Sequence, residues 1–83
     1  MNQGDWMKAQ KALTNAVSIR PKYAAAWYMQ GQLWEKQGKY TKAIEQYTQA
    51  LQANDRYKEA YYARGMARIQ LGELAEALED FST

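Results

Sequence analysis

Four carboxylates stand close together near one end of this chain: Glu73, Glu76, Glu79 and Asp80. Carboxylates that converge on a pocket can share acid and base roles in catalysis. Here they spread along one short helical stretch instead, and a solvated face is the expected reading. A second cluster is basic. Lys36, Lys39 and Lys42 surround a turn and are interleaved with Tyr40, a mixture that single-stranded nucleic acid can use for backbone charge and base stacking. Tyr40 belongs to an apolar stripe described below, so the stacking platform is missing and no nucleic-acid partner is expected. The chain has no cysteine and no histidine. That excludes disulfides, thiol chemistry, zinc sites of the Cys/His kind and histidine acid–base catalysis. The glycines punctuate helices and form no phosphate-binding loop. No catalytic, cofactor-binding or metal-binding residue is expected, and the chain reads as a non-enzyme.

At 83 residues, the chain is one small domain, near the size at which a single closed core is barely sufficient. No apolar run approaches the length needed to cross a bilayer. The polar start MNQGD is not a signal peptide. A cytoplasmic location without membrane contact is the expectation. The net charge of +2 is too small to argue for nucleic acid, but it is unevenly divided. Residues 1–42 balance at +5 and residues 43–83 at −3, which is either the solvated faces of helices or a dipole that orients a partner or a second copy.

The elements come from a period. Gly4, Gly38 and Gly72 recur every 34 residues, and their neighbours recur with them. Trp6, Tyr40 and Leu74 share one register, Ala9, Ala43 and Ala77 a second, and Leu13, Tyr47 and Phe81 a third. Gly31 and Gly65 repeat at the same interval, as do Ala16 and Ala50. A fixed period of this size means stacked helix–turn–helix units.

Within the period, the apolar positions follow a helix. Tyr40, Ala43, Ile44, Tyr47, Ala50 and Leu51 make the stripe of a core-facing helix. Trp6, Ala9, Leu13, Ala16 and Val17 reproduce it earlier, and Leu74, Ala77, Leu78 and Phe81 begin it again later. Two further helices are expected at about 23–37 and 57–71, ended by Gly38 and Gly72 in the left-handed conformation. Pro21 blocks continuation of the first stripe, and Asn54-Asp55 can cap the helix that follows the second. No β-alternation is present. Gly31 and Gly65 lie inside helices, where glycine costs about 1 kcal/mol relative to alanine. Close approach of a neighbouring helix explains that, with Ala43 and Ala77 as the natural partners. Trp27, Trp34, Tyr40 and Tyr47 would fill the space around the crossing.

Trp27, Gly31, Trp34, Gly38, Tyr40, Ala43, Tyr47, Ala50 and Leu51 together resemble the signature of a tetratricopeptide repeat. The resemblance implies an all-α, right-handed solenoid of stacked antiparallel helix hairpins with about five helices. It divides the single domain, 1–83, into the second helix of one repeat (4–19), a full repeat (24–57) and most of another (58–83). Gln30 and Arg64 stand where the family usually has leucine, Arg68 where it prefers an aromatic, and Asp55 where it prefers proline. Those departures are expected to weaken the last unit relative to the middle one.

The resemblance also implies a function: a scaffold that binds a partner peptide or helix in a concave groove lined by the first helix of each repeat. Groove positions are then Ala25, Tyr28, Gln32, Glu35 and Lys36 from the middle repeat. Glu59, Tyr62, Met66, Ile69 and Gln70 come from the last. A known use of the family is clamping an acidic C-terminal carboxylate with lysine, asparagine and arginine. The corresponding positions here hold Tyr28, Met29, Gln32, Glu59 and Ala63, so no such clamp is expected. An extended or helical segment with apolar anchors is the expected ligand.

The chain starts where a first helix should already have ended and stops before its last helix is complete, as a fragment of a longer repeat protein would. Trp6, Leu13 and Val17 should lack a neighbour at one end, and Leu78 and Phe81 at the other. Homo-oligomerisation through those ends is the alternative function.

Overall fold

The computed structural model describes residues 3–20 and 22–82, apart from the side chains of Gln3 and Trp6. Five helices follow one another: α1 (Gln3–Ile19), α2 (Ala24–Lys36), α3 (Tyr40–Ala53), α4 (Lys58–Gln70) and α5 (Leu74–Phe81). Each packs against the next, and α2 additionally touches α4. The result is a stack of antiparallel hairpins measuring 34 × 27 × 14 Å. Among the described residues no strand occurs, and no helix is long and apolar enough to cross a membrane.

The turns follow from glycine. Gly38 and Gly72 have φ of 77° and 79°, the left-handed region that a side chain disfavours. With Gly38 in that conformation, the Lys39 N–H reaches the Trp34 carbonyl at 3.0 Å and the Gly38 N–H reaches Glu35 at 2.9 Å. The pair closes the last turn of α2 as a Schellman motif. One period later, Glu73 donates to Arg68 at 2.8 Å and Gly72 to Ile69 at 3.0 Å, closing α4 in the same way. Gly4 does not share this role. It lies within α1, which already starts at Gln3.

Asn54 behaves differently from expectation as well. It terminates α3, and its carboxamide oxygen accepts the Arg56 N–H at 3.1 Å. That local bond shapes the turn, while Tyr57, the N-cap residue of α4, provides no side-chain cap. Pro21, the expected block after the first stripe, lies outside the described residues.

The core has two parts. Ala24, Ala50, Leu51 and Ala60 form one, with Trp27, Tyr28, Tyr57 and Tyr61 packed around it. Ala43, Tyr47 and Ala67 form the other, enclosed by Tyr28, Trp34, Tyr40, Ile44 and Ala63. Trp27 therefore belongs to a different cluster from Trp34, Tyr40 and Tyr47. At the α1 end Val17 is buried and Leu13 half-buried, because α1 packs on α2. The expectation of a missing neighbour does not hold for Val17, while Leu13 keeps part of its surface open and Trp6 lies outside the described side chains. At the other end Leu74, Leu78 and Phe81 are exposed.

The helix glycines admit aromatic rings. A Cβ on Gly31 would collide with Cε1 and Cδ1 of Tyr47, and one on Gly65 would stand 2.6 Å from Cε1 of Phe81. The atoms nearest to such a Cβ thus belong to these rings, nine residues after each turn, and not to Ala43 or Ala77. Tyr47 cannot yield, since it is 0% exposed and its hydroxyl donates to Glu35 at 2.9 Å. Phe81 is 40% exposed and can swing outward. Gly31→Ala should therefore lower stability by about 1–3 kcal/mol, as overpacked cores do, despite alanine's advantage of about 1 kcal/mol in a helix. Gly65→Ala should cost clearly less. Urea unfolding of the two variants checks the order, and equal losses would contradict it.

Candidate interaction surface

The residues expected to line a groove divide between α2 and α4, the two helices that touch across the α3 hairpin. On α2, Gln32 and Lys36 are exposed, and Ala25, Tyr28 and Glu35 are half-buried. On α4, Glu59, Tyr62, Met66, Ile69 and Gln70 are all exposed. Helical spacing puts Tyr62, Met66 and Ile69 on one stripe, and Tyr62 is its most exposed member at 62%.

Tyr28 is the centre of the α2 contribution. Its ring lies 5.7 Å from Tyr47 and meets Tyr57 edge-on at 5.3 Å, geometries that favour aromatic pairs beyond their buried area. Its hydroxyl accepts a hydrogen bond from the Gln32 amide at 3.1 Å. Burial raises the Tyr28 phenol pKa, and the Glu59 and Glu35 carboxylates raise it further. Tyr57 is raised by burial and then by Glu59. Glu35 accepts the Tyr47 hydroxyl, and burial together with that bond pushes the Tyr47 phenol far above its usual range. Tyr28, Gln32, Glu35, Tyr57 and Glu59 thus form one polar-aromatic junction between α2 and α4. Tyr57 was not among the expected groove residues. Its signal was the period, since Tyr23 and Tyr57 stand 34 apart.

The basic cluster is partly committed elsewhere. The Lys42 ammonium sits 5.3 Å from the centre of the Trp34 ring, a cation–π contact.

Asp80 corrects the reading of the carboxylates as a uniformly solvated face. It is 4% exposed. The Arg64 guanidinium holds it through Nη2 at 2.7 Å and Nε at 3.1–3.2 Å, and Arg68 Nη1 adds a bond at 2.9 Å. Arg64 also donates to Thr48 at 3.1 Å. One period earlier, Gln30 donates to Thr14 at 3.1 Å, so the same polar rung joins successive units twice. The two arginines that depart from the family pattern therefore tie α4 to α5 rather than standing unsupported. Glu73, Glu76 and Glu79 do remain on the exposed face. Among the described residues no cluster of acidic side chains could hold a metal ion.

A stack of glycine-hinged helical hairpins with a first-helix face shared between units defines a helical-repeat protein. The sequence profile of the tetratricopeptide repeat matches residues 1–57 and, one unit on, 35–83, so the chain belongs to the tetratricopeptide repeat family. Similar solved structures include MamA, with a TM-score of 0.90 at 29% identity over 94% of this chain and 46% of that one. The second tetratricopeptide domain of Spaghetti (RPAP3), bound to the HSP90 peptide SRMEEVD, gives 0.89 at 30% identity over 96% of this chain and 74% of that one. The TPR2B domain of yeast Sti1, in a pHsp70 complex, gives 0.86 at 27% identity over 94% and 62%. The chain thus spans about half the length of MamA. No curated protein sequence matches it.

Replacing Asp80 by asparagine would leave the Arg64 guanidinium without its charge partner and Arg68 with only the longer contact to Glu73 at 3.9 Å. Breaking a buried pair in this way is strongly destabilising. Both arginines keep some solvent, with side chains 15% and 20% exposed, so a loss of about 2–3 kcal/mol, below the usual range for such pairs, is expected. Because stacked repeats can open from an end, hydrogen exchange in Asp80→Asn should accelerate in α5 before α3. Unchanged exchange in α5 would return Asp80 to the solvated face.

Proposed function

We propose that this chain is a non-catalytic protein-interaction scaffold that takes a partner segment across the face shared by α2 and α4. The observation that carries the reading is the exposed stripe of Tyr62, Met66 and Ile69 on α4, beside the Tyr28–Tyr57 junction. An aromatic body with a hydroxyl tip is a frequent interface element, and an apolar stripe at helical spacing suits a partner helix or an extended segment with apolar anchors. Gln32, Glu35, Lys36, Glu59 and Gln70 supply the polar rim. Family membership supports a peptide or protein as the partner class, since the Spaghetti and Sti1 structures hold an HSP90 peptide and pHsp70 respectively.

Those partners are not carried over to this chain. Tyr28, Met29, Gln32, Glu59 and Ala63 occupy the places where a carboxylate clamp would need lysine, asparagine and arginine. Glu59, near Tyr28, would also repel an acidic terminus. Calorimetry with an acidic C-terminal peptide should therefore give no low-micromolar, salt-sensitive binding. For a partner that does bind, Tyr62→Ala or Met66→Ala should weaken affinity about tenfold or more, in the range of an interface anchor, with helicity unchanged by circular dichroism. A partner indifferent to both substitutions would place recognition elsewhere.

Exposure of Leu74, Leu78 and Phe81 on α5 favours a second reading, self-assembly through the open end. Salt-dependent mass growth in sedimentation, without added partner, is the outcome it requires. A strict monomer at high concentration removes it.

A further inference from the structure

Two carboxylates on the α2–α4 face have no counterpart in the repeat. One period before Glu59 stands Ala25, and one period after Glu35 stands Ile69, so neither acid is needed for one unit to stack on the next. The rings beside them do recur, Tyr28 as Tyr62 and Tyr23 as Tyr57. Tyr28 and Tyr57 meet edge-on at 5.3 Å, and both are half-buried, so part of each ring stays open. Tyr28 packs on both core clusters, which also take in Ala60 and Ala63 of α4. Glu59 stands two residues after Tyr57, and helical spacing puts it on one face with Tyr62 and Ala63. Glu35 borders the pair from α2 through Tyr47, whose hydroxyl it accepts at 2.9 Å and whose ring lies 5.7 Å from Tyr28. After burial, Glu59 is the next cause that raises the phenols of both Tyr28 and Tyr57. Among the described residues the ion pairs gather on Arg64, Arg68, Glu73 and Asp80, and neither Glu35 nor Glu59 is in one. Lys58 borders a separate cleft of about 410 Å³ with Tyr61, Tyr62, Asp80 and Phe81. Lys36 lies in the last turn of α2 and Glu59 in the first turn of α4. Both helices are antiparallel to α3 and so run the same way, which puts that ammonium at the far end of the face from Glu59.

We infer that the Tyr28–Tyr57–Glu59 junction is a subsite for a basic side chain of the partner segment, arginine before lysine. This rests on the α2–α4 face as the binding surface and gives its partner a chemical class: a polypeptide with a basic residue beside its apolar anchors. A guanidinium lies against tyrosine faces while its fork of N–H donors meets a carboxylate, whereas a lysine ammonium brings only a compact charge. Glu59 is the carboxylate that receives it, and Glu35 adds negative charge from the α2 side. Next to this subsite the exposed stripe of Tyr62, Met66 and Ile69 takes the apolar side chains. From Tyr62 to Ile69 the helix axis covers about 10 Å, so an extended segment places its apolar anchors about three or four residues from the basic one. Every group of the subsite belongs to α2, α4 or the turn before α4, and α3 packs against both helices. The subsite is therefore interior to the stack.

The test selects a displayed library of random short peptides on the intact chain and then titrates the strongest peptide, made synthetically, by calorimetry. The expected consensus is arginine, or lysine in second place, beside apolar residues. Glu59→Gln in the chain, or neutral citrulline for the peptide's arginine, should each weaken binding about tenfold, the loss of an interface charge pair. Added salt should weaken it too. Glu59 is exposed, so Glu59→Gln should leave the melting temperature unchanged. Glu76→Gln on α5 should leave binding unchanged, and an equal loss there would overturn the subsite in favour of general attraction to acidic surface. A neutral or acidic consensus overturns it, as does the absence of any consensus. Binding that survives Glu59→Gln but falls with Tyr62→Ala also overturns it and leaves the α2–α4 reading standing. Binding that falls with Glu59→Gln but not with Tyr62→Ala or Met66→Ala supports the subsite and removes the apolar stripe from recognition, so the two proposals fail separately.

Discussion

The Tyr47 ring occupies the space that a side chain on residue 31 would need, and most of the architecture is arranged around that contact. Gly31 accepts its helix penalty so that the ring can approach the α2 backbone closely. Once there, Tyr47 is covered by Ala63 and Ala67 of the next hairpin and hydrogen-bonded through its hydroxyl to Glu35. A single side chain thereby ties the two helices of its own unit together and supplies the surface on which the following unit stacks. Interiors packed this closely leave little room for adjustment, so the spacing between hairpins is set at this crossing. Phe81 over Gly65 repeats the arrangement with its outer side uncovered.

Polar contacts add direction to that packing. The Thr14–Gln30 and Thr48–Arg64 bonds join each second helix to the first helix of the next unit at the same offset. In the last unit the rung extends to Asp80 and Arg68, so that α5, only eight residues long, is held by charge-assisted bonds. A short terminal helix without such bonds would rely on Ala77 as its main buried apolar contact. The same arginines keep the α4 surface close to α5 and thereby shape the cleft lined by Tyr62 and Phe81.

The two candidate interaction faces differ in physical character. The α2–α4 face mixes tyrosines, carboxylates and an apolar stripe, a composition suited to a partner segment read by both polar and apolar anchors. The α4–α5 face is apolar with an acidic edge. Tyr62 borders both.

Most of the architecture could be read before any coordinates, because a repeat states its fold several times over. The 34-residue interval, the apolar stripe through Tyr40, Ala43, Tyr47 and Ala50, and Gly38 and Gly72 as left-handed terminators all follow from local backbone rules and helical geometry. Five helices and their antiparallel order follow from them in turn. What residue types and spacing could not supply were contacts between side chains far apart along the chain. Asp80 looked like one of four solvated carboxylates, because a helix pattern gives a residue's face but not which cation waits across the gap. Gly31 pointed to a close approach, yet Tyr47 rather than Ala43 meets it, since ring orientation depends on how two helices cross. Tyr57 became part of the α2 junction for the same reason. Local structure obeys interactions within a turn or two, whereas the site is assembled from pairs whose meeting depends on the stack having already formed.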